Sequence, residues 1–143
     1  MTFLLVDVGA TSFKWTYADG ESVEKTRRRP TPRLCSPETL CDMIAIRART
    51  RNCTGIAIGF PGEIRRGVVV DAANITRLNG PSSDRDHGAH SAWRNFELES
   101  AIGVMTSTPT VVVNDAHATA LGCEISKGRV LVVALGTGCG VGI

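Results

Sequence analysis

Short apolar runs separated by polar and helical segments set the pattern of this chain. Phe13, Trp15 and Tyr17 alternate with polar residues before an Asp-Gly turn, which predicts a hairpin whose second arm covers 23–28. Residues 68–70 continue as a further strand. Buried strands are predicted where apolar runs end in Gly, Pro or Asn, at 3–8, 55–60, 110–113 and 130–135. We expect these four to be neighbours in one mixed central sheet, with the hairpin at one side and helices covering both faces.

Helical periodicity occurs in three places. The first predicted helix begins at Ser36 and ends near Asn52, and its apolar stripe is Leu40, Met43, Ile44 and Ile46. Apolar residues spaced over 93–102 indicate a short amphipathic helix, and a third helix is predicted for 116–126. Residues 76–91 contain almost no apolar side chains, which is typical of a surface loop. The order of elements is that of an α/β domain.

Composition narrows the class of protein. The chain has 143 residues, 43% of them hydrophobic, and a formal charge of +2, so nothing calls for a nucleic-acid or membrane partner. Five cysteines without a C-x-x-C pair favour a reducing compartment, and we expect a cytoplasmic protein. The histidines His87, His90 and His117 are not expected to bind metal. The basic run 27–29 is interpreted as a solvated strand end, with an anion-binding patch as the alternative.

Two glycine-containing turns each lead from an apolar strand into another strand. They are Asp7-Val8-Gly9-Ala10-Thr11 and Gly136-Thr137-Gly138-Cys139-Gly140. Glycine lets a backbone approach its ligand, and successive N–H groups with threonine hydroxyls suit phosphate oxygens. Neither a Walker loop nor G-x-G-x-x-G occurs, so the pair predicts a strand-turn-strand phosphate clamp.

Two aspartates are candidates for chemistry. Asp7 lies beside the expected phosphates, which is favourable if Mg²⁺ lies between them, held through water; otherwise Asp7 only shapes the turn. Asp115 follows a buried strand at its carboxyl end, where catalytic groups gather in α/β sheets. It could equally cap the following helix, a role worth about 1 kcal/mol that Asn114 could also fill.

Four segments in order resemble the signatures of the ROK family (repressor, open reading frame, kinase). They read LVDVGATSFK, GFPG with GVV and AAN, VNDA with ALG, and LGTGCGVG. The stretch from Pro61-Gly62 to Asn74 is most similar to the polyphosphate glucokinase-like branch. The resemblance extends over nearly the whole chain and implies an actin-like ATPase (ribonuclease H-like) fold.

The resemblance also implies roles for individual residues in a glucokinase-like sugar kinase. Asp115 would be the catalytic base, Asn114 a ligand of a hexose hydroxyl, and Pro61, Gly62 and Asn74 would flank the sugar. Phosphate-binding residues would be Asp7, Gly9, Thr11, Lys14, Gly136, Thr137, Gly138 and Gly140. The phosphoryl donor would be ATP or polyphosphate, with Mg²⁺ at Asp7.

Three departures from the family pattern qualify these expectations. Ala10 stands where a second glycine is common, and a long polar segment separates Asn74 from Trp93. The chain ends at Ile143, before the family's Glu-x-Gly-His sugar ligands, cysteine zinc cluster and adenosine-binding segment. We therefore expect residues 1–143 to be the N-terminal lobe alone, with the C-terminal lobe absent. Such a lobe would be inactive by itself and would expose apolar surface that favours association, for example as a homodimer.

A binding protein is the main alternative. A ROK-type sugar sensor or regulator would share the fold without the activity. Its helix-turn-helix would precede the first strand, and here Met1 begins that strand directly. A regulatory or structural member that binds a partner is a third hypothesis.

Overall fold

The computed structural model describes residues 1–79, 83–123, 131–135 and 139–142. The strands are β1 (Phe3–Val8), β2 (Ser12–Ala18), β3 (Arg27–Pro30), β4 (Gly55–Phe60), β5 (Glu63–Arg65), β6 (Val68–Asp71), β7 (Thr110–Asn114), β8 (Val132–Leu135) and β9 (Cys139–Gly142). The helices are α1 (Pro37–Thr50), α2 (His87–Trp93), α3 (Leu98–Thr106) and α4 (Asp115–Leu121). In these ranges, none of the helices is long and apolar enough to cross a membrane.

A mixed five-stranded sheet forms the centre, in the order β3-β2-β1-β4-β7. β1 pairs antiparallel with β2 and parallel with β4, and β4 pairs parallel with β7. The mixed sheet, the three neighbouring strands β1, β4 and β7, and the hairpin at one side are as the sequence predicted. The fourth predicted strand is not: β8 pairs with β9 in a separate hairpin.

The outer edge of β7 is contacted by other elements of the chain. The Val112 N–H, in the middle of β7, donates to the Glu99 carboxylate of α3 at 3.0 Å. The β5–β6 hairpin also contacts β7. These contacts occupy part of the edge, and an open groove of about 370 Å³ also lies along it. Among the described residues, β8 pairs with β9 and not with β7.

The hydrophobic core lies on one face of the sheet, where α1 and α3 pack. Strand residues such as Leu4, Val6 and Ile58 alternate towards this face and are fully or nearly fully buried. On the opposite face, α4 lies over Gly59, and beyond it an open groove of about 470 Å³ remains. Two complete covering layers were expected. The described residues provide one and part of a second, and Val111 is accordingly 48% exposed.

Two predicted elements differ in part from the structure: the first helix in its buried stripe, and the hairpin in its second arm. α1 starts as expected, with the Ser36 hydroxyl accepting from the Thr39 N–H at 3.2 Å, but Ile46 is 61% exposed and does not belong to the buried stripe. The second arm of the hairpin is β3, which begins four residues later than predicted. Before β3, Val23 forms an isolated bridge with Ala18. A run of three arginines extends as strand because its backbone pairs with β2 while the side chains stay in solvent.

The polar loop and the helix after it also differ from the prediction. α2 begins inside the expected loop, where Asp86 accepts from the Ala89 N–H at 2.8 Å as the N-cap. The helix predicted over 93–102 is therefore two helices, α2 and α3, separated by residues 94–97. Residues 80–82 of the loop, and the end of the third predicted helix at 124–126, lie outside the described residues.

Trp93 anchors this polar segment to the core. Its side chain is fully buried and its indole N–H donates to the Cys35 carbonyl at 2.8 Å. The ring lies 4.9 Å from Phe60 and 5.8 Å from Phe96, measured between centroids. One aromatic side chain thus fixes α2 against the end of β4.

We predict that Trp93→Phe lowers the free energy of unfolding by about 1–3 kcal/mol, because it leaves the buried Cys35 carbonyl without a donor. Trp15→Phe is the control: the Trp15 ring is half-buried and packs on Arg47, so its loss should stay below about 1 kcal/mol. Urea denaturation measures both. Equal losses would show that the Trp93 hydrogen bond contributes nothing.

Candidate functional site

The parallel register of three strands brings the candidate residues to one edge of the sheet. Asp7 pairs with Gly59, and Phe60 pairs with Asn114, so β1, β4 and β7 end side by side. Asp115 comes directly after Asn114 as the first residue of α4. The sequence placed both aspartates at strand ends, and the register makes those ends neighbours.

The first glycine turn is closed by its own backbone and by Thr31. The Gly9 N–H donates to the Ser12 carbonyl at 3.0 Å, and a Cβ on Gly9 would lie 2.8 Å from that oxygen. The Thr31 N–H donates to the Thr11 carbonyl at 3.1 Å, and the Thr31 hydroxyl donates to the Gly9 carbonyl at 2.7 Å. With the Gly9 N–H inside the turn, Ala10 and Thr11 carry the N–H groups that a phosphate could use.

Thr31 was missed by the sequence analysis. It is a buried polar residue, 8% exposed, that lies between two prolines after the arginine run. Nothing in a Pro-Thr-Pro sequence points to a turn more than twenty residues away. Only the return of β3 alongside β2 carries Thr31 to the glycine turn.

Asp7 has a cation beside it within the chain. The Lys14 ammonium lies 2.7 Å from the Asp7 carboxylate, and the two side chains are 46% and 50% exposed. An exposed pair of this kind is worth about 0–1 kcal/mol, so either partner is readily released to a ligand. Mg²⁺ was predicted to balance the negative charge of Asp7, and the Lys14 ammonium provides a second positive charge beside it.

A metal at this edge would have few protein ligands. In the described ranges, no group of three or more His, Cys, Asp and Glu side chains could hold a metal ion. Mg²⁺ is commonly bound by one or two carboxylates together with water and substrate phosphates. The Asp7 carboxylate, with Asp115 close enough to interact electrostatically, fits that donor set.

Asn114 is the helix cap that the sequence left undecided. Its side-chain oxygen accepts from the N–H groups of Ala116 at 2.9 Å and His117 at 3.2 Å. Its amide nitrogen donates to the Gly62 carbonyl at 2.9 Å. One side chain therefore joins the start of α4 to the loop after β4. Asp115 is not needed as the N-cap.

Asp115 sits in an environment that raises its pKa. Burial is the main cause, and the nearby Asp7 carboxylate acts in the same direction. Hydrogen bonds from the Ala116 N–H and the Asn114 side chain lower the pKa but do not cancel the rise. Gly59 lies beneath the start of α4, where a Cβ would be 3.6 Å from the Asp115 Cα, an ordinary van der Waals distance. The carboxylate is therefore a stronger base than an exposed aspartate.

The expected sugar-binding residues divide into two groups. Gly62 is held against β6, where a Cβ would lie 2.2 Å from the Asp71 carbonyl, and it bonds Asn114; Pro61 beside it is buried. Asn74 is exposed in the turn after β6, and among the described residues no hydrogen bond joins its side chain to the others.

The side chain of Asp71 supports this region, a contact that the sequence analysis did not foresee. It accepts from the Arg85 guanidinium at 3.2 Å and lies 3.1 Å from the His90 imidazole. These contacts link α2 to the end of β6, three residues before Asn74. The end of the long polar segment is thereby held next to the candidate site.

The second glycine turn is described only at its end. Gly136, Thr137 and Gly138 are outside the described residues. Gly140 belongs to β9, opposite Ala134 of β8. The β8–β9 hairpin contacts α4, the helix that begins with Asp115.

Thr31→Val should loosen the first glycine turn. Removing the hydroxyl leaves the Gly9 carbonyl without its donor, and we expect a loss of about 1–3 kcal/mol in the free energy of unfolding. Thr16→Val is a matched control, because the Thr16 hydroxyl donates at the same 2.7 Å to the Glu24 carbonyl in an exposed position where water can replace it. Urea denaturation would contradict this role if Thr31→Val cost no more than Thr16→Val.

The raised pKa of Asp115 makes stability depend on pH. Since the folded chain holds this proton more tightly than the unfolded chain, stability should fall as pH rises from about 4 to the raised pKa. Asp7→Asn removes the repulsion and should lower the pKa of Asp115, as followed by carbon-13 NMR of the carboxyl groups. Asp42→Asn on α1 should leave that pKa unchanged. An unaltered titration in Asp7→Asn would show that the two aspartates do not interact.

Comparison with known proteins gives the chain its relatives. It is 30% identical to N-acetylmannosamine kinase of Escherichia coli O157:H7 over an alignment of 151 positions that covers 99% of this chain and 47% of that protein. The inorganic polyphosphate/ATP-glucomannokinase of Arthrobacter sp. strain KM matches with a TM-score of 0.76 and 28% identity, over 98% of this chain and 56% of that one. Hexokinase from Schistosoma mansoni, 16% identical, has the same fold with a TM-score of 0.62, over 99% of this chain and 35% of that one.

The chain thus spans about half the length of the curated relatives that it matches. Its mixed sheet with flanking helices is the actin-like ATPase fold of the hexokinases and related sugar kinases. The model of the ROK family matches residues 3–143. With a match over nearly its whole length, this chain belongs to the ROK family.

Proposed function

We propose that the chain is the phosphate- and sugar-binding lobe of a sugar kinase in which Asp115 accepts the proton of a hexose hydroxyl. The phosphoryl donor is ATP or polyphosphate. One observation carries the proposal: Asp115 stands at the common edge of β1, β4 and β7, and Asn114 fills the capping role that would otherwise explain it. The kinase names of its relatives support the same reaction.

Asp115 is suited to the work of a general base. A hydroxyl is a poor nucleophile until its proton leaves, and a carboxylate of raised pKa accepts that proton more readily than an exposed one. Asn114, next to Asp115 in the chain, is proposed as a ligand of a hexose hydroxyl. Pro61, Gly62 and Asn74 are proposed to border the sugar.

The phosphates would lie at the glycine turns. We assign the N–H groups of Ala10 and Thr11, the Thr11 hydroxyl and the Lys14 ammonium to phosphate oxygens, and residues 136–140 to the second arm of the clamp. Asp7 would hold Mg²⁺, chiefly through water. When bound, Mg²⁺ supplies positive charge that offsets the phosphate oxygens.

Phosphoryl transfer needs more than these residues. Donor and acceptor must be held in line in a site from which water is excluded, and the relatives use about twice this length of chain for it. We therefore propose that residues 1–143 alone do not phosphorylate hexoses at an appreciable rate. Robust ATP-dependent formation of glucose 6-phosphate by the purified chain would contradict this.

Asp115→Asn tests the proposed base in a hybrid that continues residues 1–143 with the remaining half of the Arthrobacter glucomannokinase. The substitution preserves size and removes the proton acceptor, so kcat should fall by roughly 10²–10⁴-fold. The melting temperature should not fall, because the ionised Asp115 does not stabilise the fold. A coupled assay of hexose phosphorylation and a thermal melt provide the two readouts.

His117→Gln is the matched control, because His117 lies two residues further along α4 and has no proposed role. It should leave kcat within a few-fold of the parent hybrid. If Asp115→Asn also did so, or lost activity only by unfolding, Asp115 would be structural. If the parent hybrid bound hexose without phosphorylating it, a sugar-sensing role would replace the kinase proposal.

A further inference from the structure

Two cations extend the Asp7 edge towards the side of the sheet. In the β1–β2–β3 register, Asp7 is opposite Lys14, and Lys14 is opposite Arg28. Directly opposed residues share a face of the sheet, and strands are about 4.8 Å apart. Lys14 and Arg28, which we name the basic row, therefore lead about 10 Å outwards from Asp7 on the face that α1 does not cover.

The two side chains of the basic row are available to bind an anion. Both side chains are exposed, and Lys14 is held only by its weak surface pair with Asp7. Within the described ranges, no carboxylate lies within salt-bridge distance of Arg28, whereas Arg27 next to it pairs with Glu24. A bound anion would therefore gain Arg28 without breaking an existing ion pair.

Protection of the sheet edge is the ordinary explanation for arginines on β3, because charged side chains prevent pairing with another strand. That role needs no particular face. Arg29 lies opposite Phe13 on the α1 face and close enough to Arg47 to lower its pKa. Arg28 differs from Arg29 by lying in line with Lys14 and Asp7, and edge protection does not account for that alignment.

We propose that the basic row binds the distal phosphates of a linear polyphosphate chain whose terminal phosphate lies at the Asp7 edge. This rests on the proposed function and selects between its two donors. Cations spaced one strand apart match a ligand with repeated negative charge, which continues past the reacting phosphate. A nucleoside triphosphate has no phosphate charge beyond the point where its ribose begins, so its binding affinity should depend less on Arg28.

Calorimetric titration of residues 1–143 tests the row without any need for activity. The ligands are long-chain inorganic polyphosphate, inorganic triphosphate and ATP, each with Mg²⁺ at fixed ionic strength. Arg28→Gln should weaken long-chain binding about tenfold and reduce the slope of log affinity against log salt by about one. ATP binding should change less than twofold.

Arg29→Gln is the matched control, since it removes the same charge from the same strand on the opposite face. It should weaken long-chain binding less than threefold. Equal losses in Arg28→Gln and Arg29→Gln would reduce the effect to overall charge and overturn the proposal. An equal loss for ATP or triphosphate, or no polyphosphate binding by the parent chain, would overturn it as well.

Failure of the row and failure of the kinase proposal are distinguishable. Asp115→Asn should leave polyphosphate binding by residues 1–143 unweakened, because it removes a negative charge rather than a phosphate ligand. If the hybrid phosphorylates hexose but Arg28→Gln binds polyphosphate as tightly as the parent chain, the kinase proposal stands and the polyphosphate-binding role of the basic row is rejected. If the hybrid has no kinase activity but Arg28→Gln selectively weakens polyphosphate binding, the basic row remains an anion-binding site and the kinase proposal is rejected.

Discussion

The hydrogen-bonded register of β1, β4 and β7 is the constraint on which the site depends. Parallel pairing of Asp7 with Gly59, and of Phe60 with Asn114, makes three strands end at one edge. The Asn114 amide then fixes the start of α4 against the loop after β4, since it caps the helix and bonds the Gly62 carbonyl. A slip of one residue would turn Asp7 into the core and carry Asp115 away from it.

Like and unlike charges lie next to one another at this edge. Asp7 lies between a carboxylate, Asp115, and an ammonium, Lys14, and Arg28 lies beyond Lys14 without a partner among the described residues. Burial of Asp115 makes its ionised form costly, which is unfavourable for the fold and useful for accepting a proton. Burial of the Asp115 carboxylate thus lowers the stability of the fold when the group is ionised and raises its basicity.

Supporting residues act through close backbone approach. Gly9 and Gly62 each lie where a Cβ would collide with a backbone carbonyl, and Thr31 bonds the first turn from a distant segment. Trp93 anchors the polar segment whose end, through Asp71, borders the expected sugar region. The geometry of the edge therefore depends on packing and hydrogen bonds of residues other than the two aspartates.

The sequence by itself determined the strands β1, β4 and β7, the first arm of the hairpin and the strand-end positions of Asp7 and Asp115, because periodicity and turn residues are local signals. It could not choose between Asn114 and Asp115 as the cap, since both have suitable side chains and only the position of the Gly62 carbonyl decides. It also misassigned β8, because an apolar run predicts a strand but not the strand with which it pairs. Thr31, α2 and the alignment of Arg28 with Asp7 likewise required tertiary structure, since each depends on pairing between segments distant along the chain.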